Sequence, residues 1–224
     1  LVADDRVSVM PCGPQRSSEA YDRSPGARRW AAGSGEASSC SAVEMTLGGV
    51  AQVIIVNAHS VCGHDLANGR VLWEFPWLNN FPNIASPVQA GPDRVLVSSG
   101  YGMGAAMIAV EKGEPWKSRA GWKSNRLESK LANYFVRGEF IYGLDDGIMA
   151  CLAAPTGALM WKDERYGHGQ MIRCDDLLVV MTESGAVVLV DPDPGGVKEL
   201  TRFASRSDKT GNPAALSDDL LVLR

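Results

Sequence analysis

The chain offers few side chains whose type and spacing could do chemistry: three histidines and five cysteines among 224 residues. The densest cluster is His59-Ser-Val-Cys62-Gly-His64-Asp65. On a strand Cys62 and His64 share a face, as two zinc ligands would, while His59 would have to come round a turn. No second cluster completes four ligands, so the segment reads as a hairpin turning at Gly63, and no metal site is expected. Asp191-Pro-Asp193-Pro-Gly-Gly196 echoes the start of a calcium loop. However, Gly195 stands at the third ligand position and Arg202 where the bidentate Glu belongs, so this is a turn. Gly100-Tyr-Gly-Met-Gly104 brings its third Gly one residue early for a dinucleotide loop. The short apolar run after it leaves no room for a phosphate-binding helix. With no G-x-S-x-G and so few histidines, a Ser-His-Asp arrangement has little raw material. No catalytic residue is assigned.

The elements that would position any site repeat. Asp22-Arg-Ser-Pro-Gly26-Ala-Arg-Arg-Trp30 and Asp65-Leu-Ala-Asn-Gly69-Arg-Val-Leu-Trp73 have identical internal spacing, and Ala153-Ala-Pro-Thr-Gly157-Ala-Leu-Met-Trp161 keeps Gly and Trp without the Asp. Two worn copies complete the series: Gly113-Glu-Pro-Trp116 with Trp122, and Asp191 to Gly195 leading to Phe203 in place of Trp. A step of about 43 residues marks a repeat architecture.

Short β-branched runs precede each unit: Gln52–Val56, Arg94–Ser98, Phe140–Tyr142, Leu177–Met181 and Val187–Val190. Ala67-Asn-Gly69, Asp145-Asp-Gly147 and Glu183-Ser-Gly185 supply hairpin turns between them. Each copy resolves into four short strands, the make-up of a propeller blade. The fold class is therefore all-β: a β-propeller of four-stranded antiparallel blades, about five present in an incomplete ring. Blades are expected near 1–31, 40–75, 84–122, 131–162 and 169–203, with the start of another at 213–224. Gly makes the turn, Asp bonds its amides, and Trp packs between neighbouring sheets. One segment competes: Leu127 and Leu131 have helical spacing within 125–133, which suits one turn of helix before a strand.

In such a fold, polar residues entering the inner strand either line a ligand site in the central funnel or satisfy backbone groups there. His168, in Arg165-Tyr-Gly-His-Gly-Gln170, occupies such a position, as do Ser41, Asn83, Ser86, Asn133 and Asn212. Both readings stay open. Cys12, Cys40, Cys62, Cys151 and Cys174 are odd in number and widely spaced, which suits buried free thiols rather than a disulfide framework. A formal net charge of −4, with no basic run beyond Arg28-Arg29, excludes a nucleic-acid surface. No stretch reaches the ~18 apolar residues of a membrane span. Both termini fall inside apparent strands, so the chain reads as a fragment of a longer one.

The Asp-x-x-x-Gly-x-x-x-Trp blade resembles the repeat of the pyrroloquinoline-quinone (PQQ)-like β-propellers, which include quinoprotein alcohol dehydrogenases and the propeller lipoprotein of outer-membrane β-barrel assembly. Trp73-Glu-Phe-Pro-Trp77, Ser98-Ser-Gly-Tyr-Gly102, Tyr142-Gly-Leu-Asp-Asp-Gly147 and Arg165-Tyr-Gly-His-Gly169 are similar to the non-enzymatic PQQ-like repeat proteins of planctomycete-type bacteria. The resemblance implies a scaffold that binds other proteins in the periplasm or at the outer membrane. It also implies an alternative, the scaffold portion of a PQQ-dependent alcohol dehydrogenase. The quinoproteins' adjacent cysteine pair and calcium carboxylates have no counterpart here, so neither PQQ nor calcium is expected.

Overall fold

The computed structural model describes residues 1–11, 16–36, 38–205, 213–218 and 220–223. Among them every regular element is a strand, and neighbouring strands pair in chain order. The first sheet holds β1 (Val2–Ala3), β2 (Arg6–Val9), β3 (Ser18–Asp22) and β4 (Arg28–Ala32). The second holds β5 (Val43–Leu47), β6 (Val50–Val56), β7 (Ser60–Asp65) and β8 (Val71–Pro76). The third holds β9 (Val88–Gln89), β10 (Arg94–Ser99), β11 (Gly104–Glu111) and β12 (Lys117–Ser124). The fourth holds β13 (Phe135–Arg137), β14 (Phe140–Asp145), β15 (Ile148–Ala153) and β16 (Leu159–Arg165). The fifth holds β17 (Gln170–Cys174), β18 (Leu177–Met181), β19 (Ala186–Asp193) and β20 (Gly196–Ala204), and β21 (Ala215–Ser217) and β22 (Leu220–Val222) form a last hairpin. These are propeller blades, none closed into a barrel. By internal contacts the chain divides into two compact units, Leu1–Val97 with Ala106–Trp122, and Ser98–Ala105 with Lys123–Arg224.

Middle strands are buried on both faces, which is why they read as continuous apolar runs rather than alternating ones. Fourth strands are edges: β12 alternates exposed and half-buried residues, and β20 is exposed along most of its length. In the first unit Ala20, Trp30, Ala42, Val53 and Ile55 pack as one cluster joining the first two sheets. In the second unit Tyr142, Met149 and Cys151 of the fourth sheet meet Met171, Val180 and Val188 of the fifth. Val179, Met181 and Val187 are covered by Ala214, Leu221 and Leu223 at the last hairpin.

The repeat motif has one local geometry. Asp22 N–H donates to Ala27 O (2.8 Å), Asp65 N–H to Arg70 O (2.9 Å) and Ala153 N–H to Ala158 O (2.8 Å). Asp65 Oδ1 also accepts from Ala67 N–H at 2.8 Å, and Gly69 N–H returns to Asp65 O at 2.8 Å. The Ala153 copy keeps that last bond, Gly157 N–H to Ala153 O at 2.8 Å, so the turn survives without its Asp. Ala20 faces Trp30, Gly63 faces Trp73 and Cys151 faces Trp161 across the outer strand pair, and a register shift follows each of these pairs. The bulge turns the strand so that a small residue lies opposite each indole.

Four expectations are corrected. Gly63 is not a turn: it lies within β7 opposite Ile54 and Trp73, and the hairpin turns at Ala58 and His59. Phe203 is 50% exposed and does not take the Trp role. The β19–β20 hairpin runs on to the Asp193–Gly196 pair, so Thr201 holds the bulge position opposite Leu189, and Phe203 lies beyond it against Val187. In the third blade Gly113 lies in the β11–β12 turn and Trp122 is half-buried on β12. It is Trp116 that reaches the preceding blade, where a Cβ on Gly48 would stand 3.4 Å from its ring. The 125–133 segment forms no helix. Leu127 adopts φ +62° and is fully buried, and Ser129 N–H donates back to Leu127 O at 2.9 Å.

Candidate functional site

In each blade one end carries the entry to the first strand, the turn between the second and third, and the exit of the fourth. In the second blade of the first unit, that end is organised by Asn83. Its Nδ2 donates to Asn57 O at 2.9 Å and Ala58 O at 3.2 Å, and its Oδ1 accepts from Asn79 Nδ2 at 2.9 Å. Its carbonyl accepts from Ser38 Oγ at 2.8 Å and Ser39 N–H at 3.0 Å. Three loops are thereby tied to one residue that is 1% exposed. Asn79 Oδ1 in turn accepts from Phe81 N–H at 3.0 Å, fixing the loop after β8.

Over this frame lies an open cleft of about 430 Å³, lined by Glu36, Ala58, His59, Asn79, Phe81 and Pro82 among others. His59 Nε2 stands 3.7 Å from Glu36 Oε2 at its rim. Leu78 is 73% exposed and Phe81 52% exposed on the same loop, while Trp77 beside them is buried and anchors it. Two large apolar side chains on a clamped loop favour a contact surface.

The corresponding end of the second unit is built around His168. Its N–H donates to Glu183 Oε2 at 3.1 Å, and its Nε2 lies 3.6 Å from Asp146 Oδ1. Asp146 (φ +50°) and Gly147 (φ +82°) form the two-residue hairpin between β14 and β15. A Cβ at Gly147 would stand 2.9 Å from Gly167 C, so glycine serves both the turn and the close backbone approach. Buried Asp145 accepts from Glu128 N–H at 2.9 Å and pairs with Lys162 Nζ at 2.8 Å. Gln170 Nε2 donates to Leu131 O at 2.8 Å.

The sequence candidates therefore separate by role. Asn83 bonds the carbonyls of Asn57 and Ala58 and also lines the cleft, and His168 packs between two turns within its own unit. Ser41 is exposed, while Ser86 and Asn133 are half-buried. Asn212 lies outside the described residues. Leu78, Phe81 and Asn79 were not singled out from sequence; the only hint is the Trp77-Leu-Asn-Asn-Phe-Pro-Asn83 run, which sets apolar residues among turn formers.

The possible zinc ligands do not gather. His64 is fully buried with Nδ1 3.0 Å from Gly69 O, and His59 stands at the exposed turn. Burial pushes the Cys62 thiol up to about 12, which keeps it protonated and a poor ligand. Among the described residues no three His, Cys, Asp or Glu side chains converge as a metal site would require. Asp193 Oδ1 accepts from Gly195 N–H at 2.7 Å within its own turn, and Asp191 pairs with Lys198 at 2.8 Å. Lys198 and Arg137 hold the Asp191 carboxyl below the usual carboxylate range.

Successive four-stranded meanders with a Gly-Trp turn in the outer hairpin define the class: a β-propeller of PQQ-like repeats. The chain belongs to the family described as outer membrane protein assembly factor BamB, whose model matches residues 1–163. Among solved structures it is similar to the crystal structure of the computationally designed Ika8 protein, with a TM-score of 0.72 and 12% identity. That match covers 99% of this chain and 65% of the designed one, so the chain spans about two thirds of its length. BamB from Moraxella catarrhalis matches at a TM-score of 0.46 and 15% identity, over 91% of this chain and 74% of that one. A comparison with curated proteins found no match.

Proposed function

We propose that the chain is a non-catalytic propeller scaffold that binds another protein in the bacterial cell envelope. The observation that carries this reading is the pair Leu78 and Phe81, held out to solvent on a loop fixed by Asn79 and Asn83. Exposed apolar residues on a rigid frame lose little entropy on binding, so more of the burial energy goes into association. The family's description, assembly of outer-membrane proteins, supports an envelope setting and a protein partner. No quinone chemistry is proposed. Cys40, Cys62, Cys151 and Cys174 are separate free thiols, whereas the quinoprotein pattern needs an adjacent pair.

The test is site-specific photo-crosslinking in bacterial cells that carry the full-length protein. A crosslinker at Leu78 or Phe81 is expected to give a discrete protein adduct that one at Val71, on the outer strand, does not. Adducts at none of these positions, or equally at all three, would refute the reading. Protection of the protein from external protease until the outer membrane is opened tests the location.

A further inference from the structure

At the opposite end of the second and third blades from the Asn83 loops, the first unit carries a second cleft, of about 470 Å³. Its floor includes Ala109 and Val110, and its rim carries Lys112, Lys117 and Arg119. The frame is firmly tied: Val110 N–H donates to Asp93 O and Gly48 N–H to Pro92 O, both at 2.8 Å. Ser118 Oγ reaches Glu74 O on β8 at 2.7 Å. Lys112 leaves the β11–β12 turn close to the Gly48 hairpin, where a Cβ on Gly48 would be 3.1 Å from Lys112 Cβ.

None of the three cations has an ion pair or hydrogen bond among the described residues. Two acids share the wall, Asp93 and Glu111, and Asp93 is engaged by Arg94 at 3.7 Å. Lysine on an edge strand also deters edge-to-edge aggregation, which alone would account for Lys117. It does not account for Lys112, which comes from a turn, or for the apolar floor.

We infer that this cleft binds an extended acidic segment of a partner protein, with carboxylates at alternate positions. β12 is the outer edge of its sheet, and Lys117 and Arg119 are exposed there while Ser118 between them turns inward. Strand geometry spaces the two cations by about 6.6 Å, the spacing of residues i and i+2 on an added strand. Arg119 can take one carboxylate in a two-bond fork and Lys117 the next as a point charge. A membrane surface fits less well: polybasic lipid-binding segments use about four to eight cations, and these three surround a concavity. The chain as a whole is acidic, at −4, so the cleft stands out as a local cationic target.

The test is fluorescence anisotropy with a labelled peptide of about ten residues alternating Thr and Glu, long enough for one strand. The intact chain is expected to bind it saturably and more weakly as salt rises. The double variant Lys117→Glu/Arg119→Glu should lose at least about tenfold in affinity, with Lys112→Glu losing less. All three positions are exposed, so an unchanged urea midpoint shows that the fold is intact. A peptide of the same composition with its Glu residues contiguous should bind more weakly. Equal binding by the reversal variant or by the contiguous peptide overturns the inference. So does tighter binding to vesicles of about 30% anionic lipid that the peptide cannot displace. A Leu78→Ser/Phe81→Ser variant should bind the peptide as the parent does, so failure at one surface does not imply failure at the other.

Discussion

The Trp30 indole of the first blade lies on Gly69 of the second. A Cβ placed on Gly69 would overlap Trp30 Cε3, and Trp30 Nε1–H donates to Leu66 O in the same turn at 3.2 Å. His64 stacks parallel to the ring at 6.4 Å. In this pair the Trp of one blade occupies the space that the Gly of the next leaves open, whereas the Trp73 ring lies against Gly63 of its own blade. In the second unit Trp161 Nε1–H donates likewise to Asp193 O of the fifth blade at 3.0 Å, but a Cβ on Gly195 or Gly196 would not meet its ring.

Gly69→Ala should therefore cost more than Gly26→Ala. Both glycines have positive φ, +77° and +89°, so each substitution carries backbone strain of about 1–2 kcal/mol. A Cβ at Gly26 meets nothing within 4 Å, whereas one at Gly69 must displace Trp30. Overpacking adds about 1–3 kcal/mol at Gly69 alone. Urea unfolding of the two variants measures the gap, and equal losses would mean that the Trp30 contact is not tight.

Trp73 and Phe203 form a second contrasting pair. Trp73 is 3% exposed and its Nε1–H donates to buried Gln52 Oε1 at 2.8 Å. Trp73→Ala opens a cavity and strands that acceptor, a loss of about 3–5 kcal/mol. Phe203→Ala removes a half-exposed ring from an edge strand and should cost under about 1 kcal/mol. Thermal or urea midpoints decide; a large loss at Phe203 would restore it to the role its spacing suggested.

The blade pattern was legible because it is local. Gly at a positive-φ turn, strands of β-branched residues and an indole eight positions after the Asp all follow from the backbone needs of one hairpin. What Trp30 touches is not local: Gly69 belongs to the next repeat, and only the fold brings the two together. Phe203 misled because its ring type suggested Trp, while hairpin length sets the register. Asn83 and His168 were visible as polar residues between breakers, but their roles depend on which carbonyls and carboxylates the neighbouring turns present. The exposure of Leu78 and Phe81 is a tertiary property, created by the Asn79–Asn83 clamp.

The thiols should differ in reactivity. Burial pushes Cys62 up to about 12 and Cys151 up to about 11, the latter with a hydrogen bond from Tyr142 pulling the other way. Cys40, Cys62 and Cys151 are buried and Cys174 is partly exposed. With Cys12 replaced by Ser, a thiol reagent at about pH 8 should label a single site fast, Cys174, since the reactive species is an accessible thiolate. The other three should react only at the rate of unfolding. Peptide mapping after brief labelling checks the assignment, and early modification of Cys62 would contradict the burial of the second blade.

His64 should make the first unit sensitive to mild acid. Its ring is fully buried, and burial holds its pKa below the usual histidine range, opposed by the bond to Gly69 O and the charge of Glu74. A carbonyl can only accept, so Nδ1 carries the proton and Nε2 is left without a partner among the described residues. Once unfolded, the imidazole binds a proton near pH 6.5, whereas the folded chain resists it. Below that point the unfolded state binds more protons, so stability falls with falling pH. The contribution is complete above about pH 6.5 and is lost as pH drops towards the depressed folded value. Asp5, Asp191 and Glu199, whose carboxyls are also held low by cationic partners, lose their contributions in a more acidic range. Urea midpoints at about pH 7.5 and about pH 5.5 should therefore differ for the parent chain. They should differ less for His64→Asn, whatever its absolute stability. An undiminished pH slope in the variant would show that the acid sensitivity comes from another group.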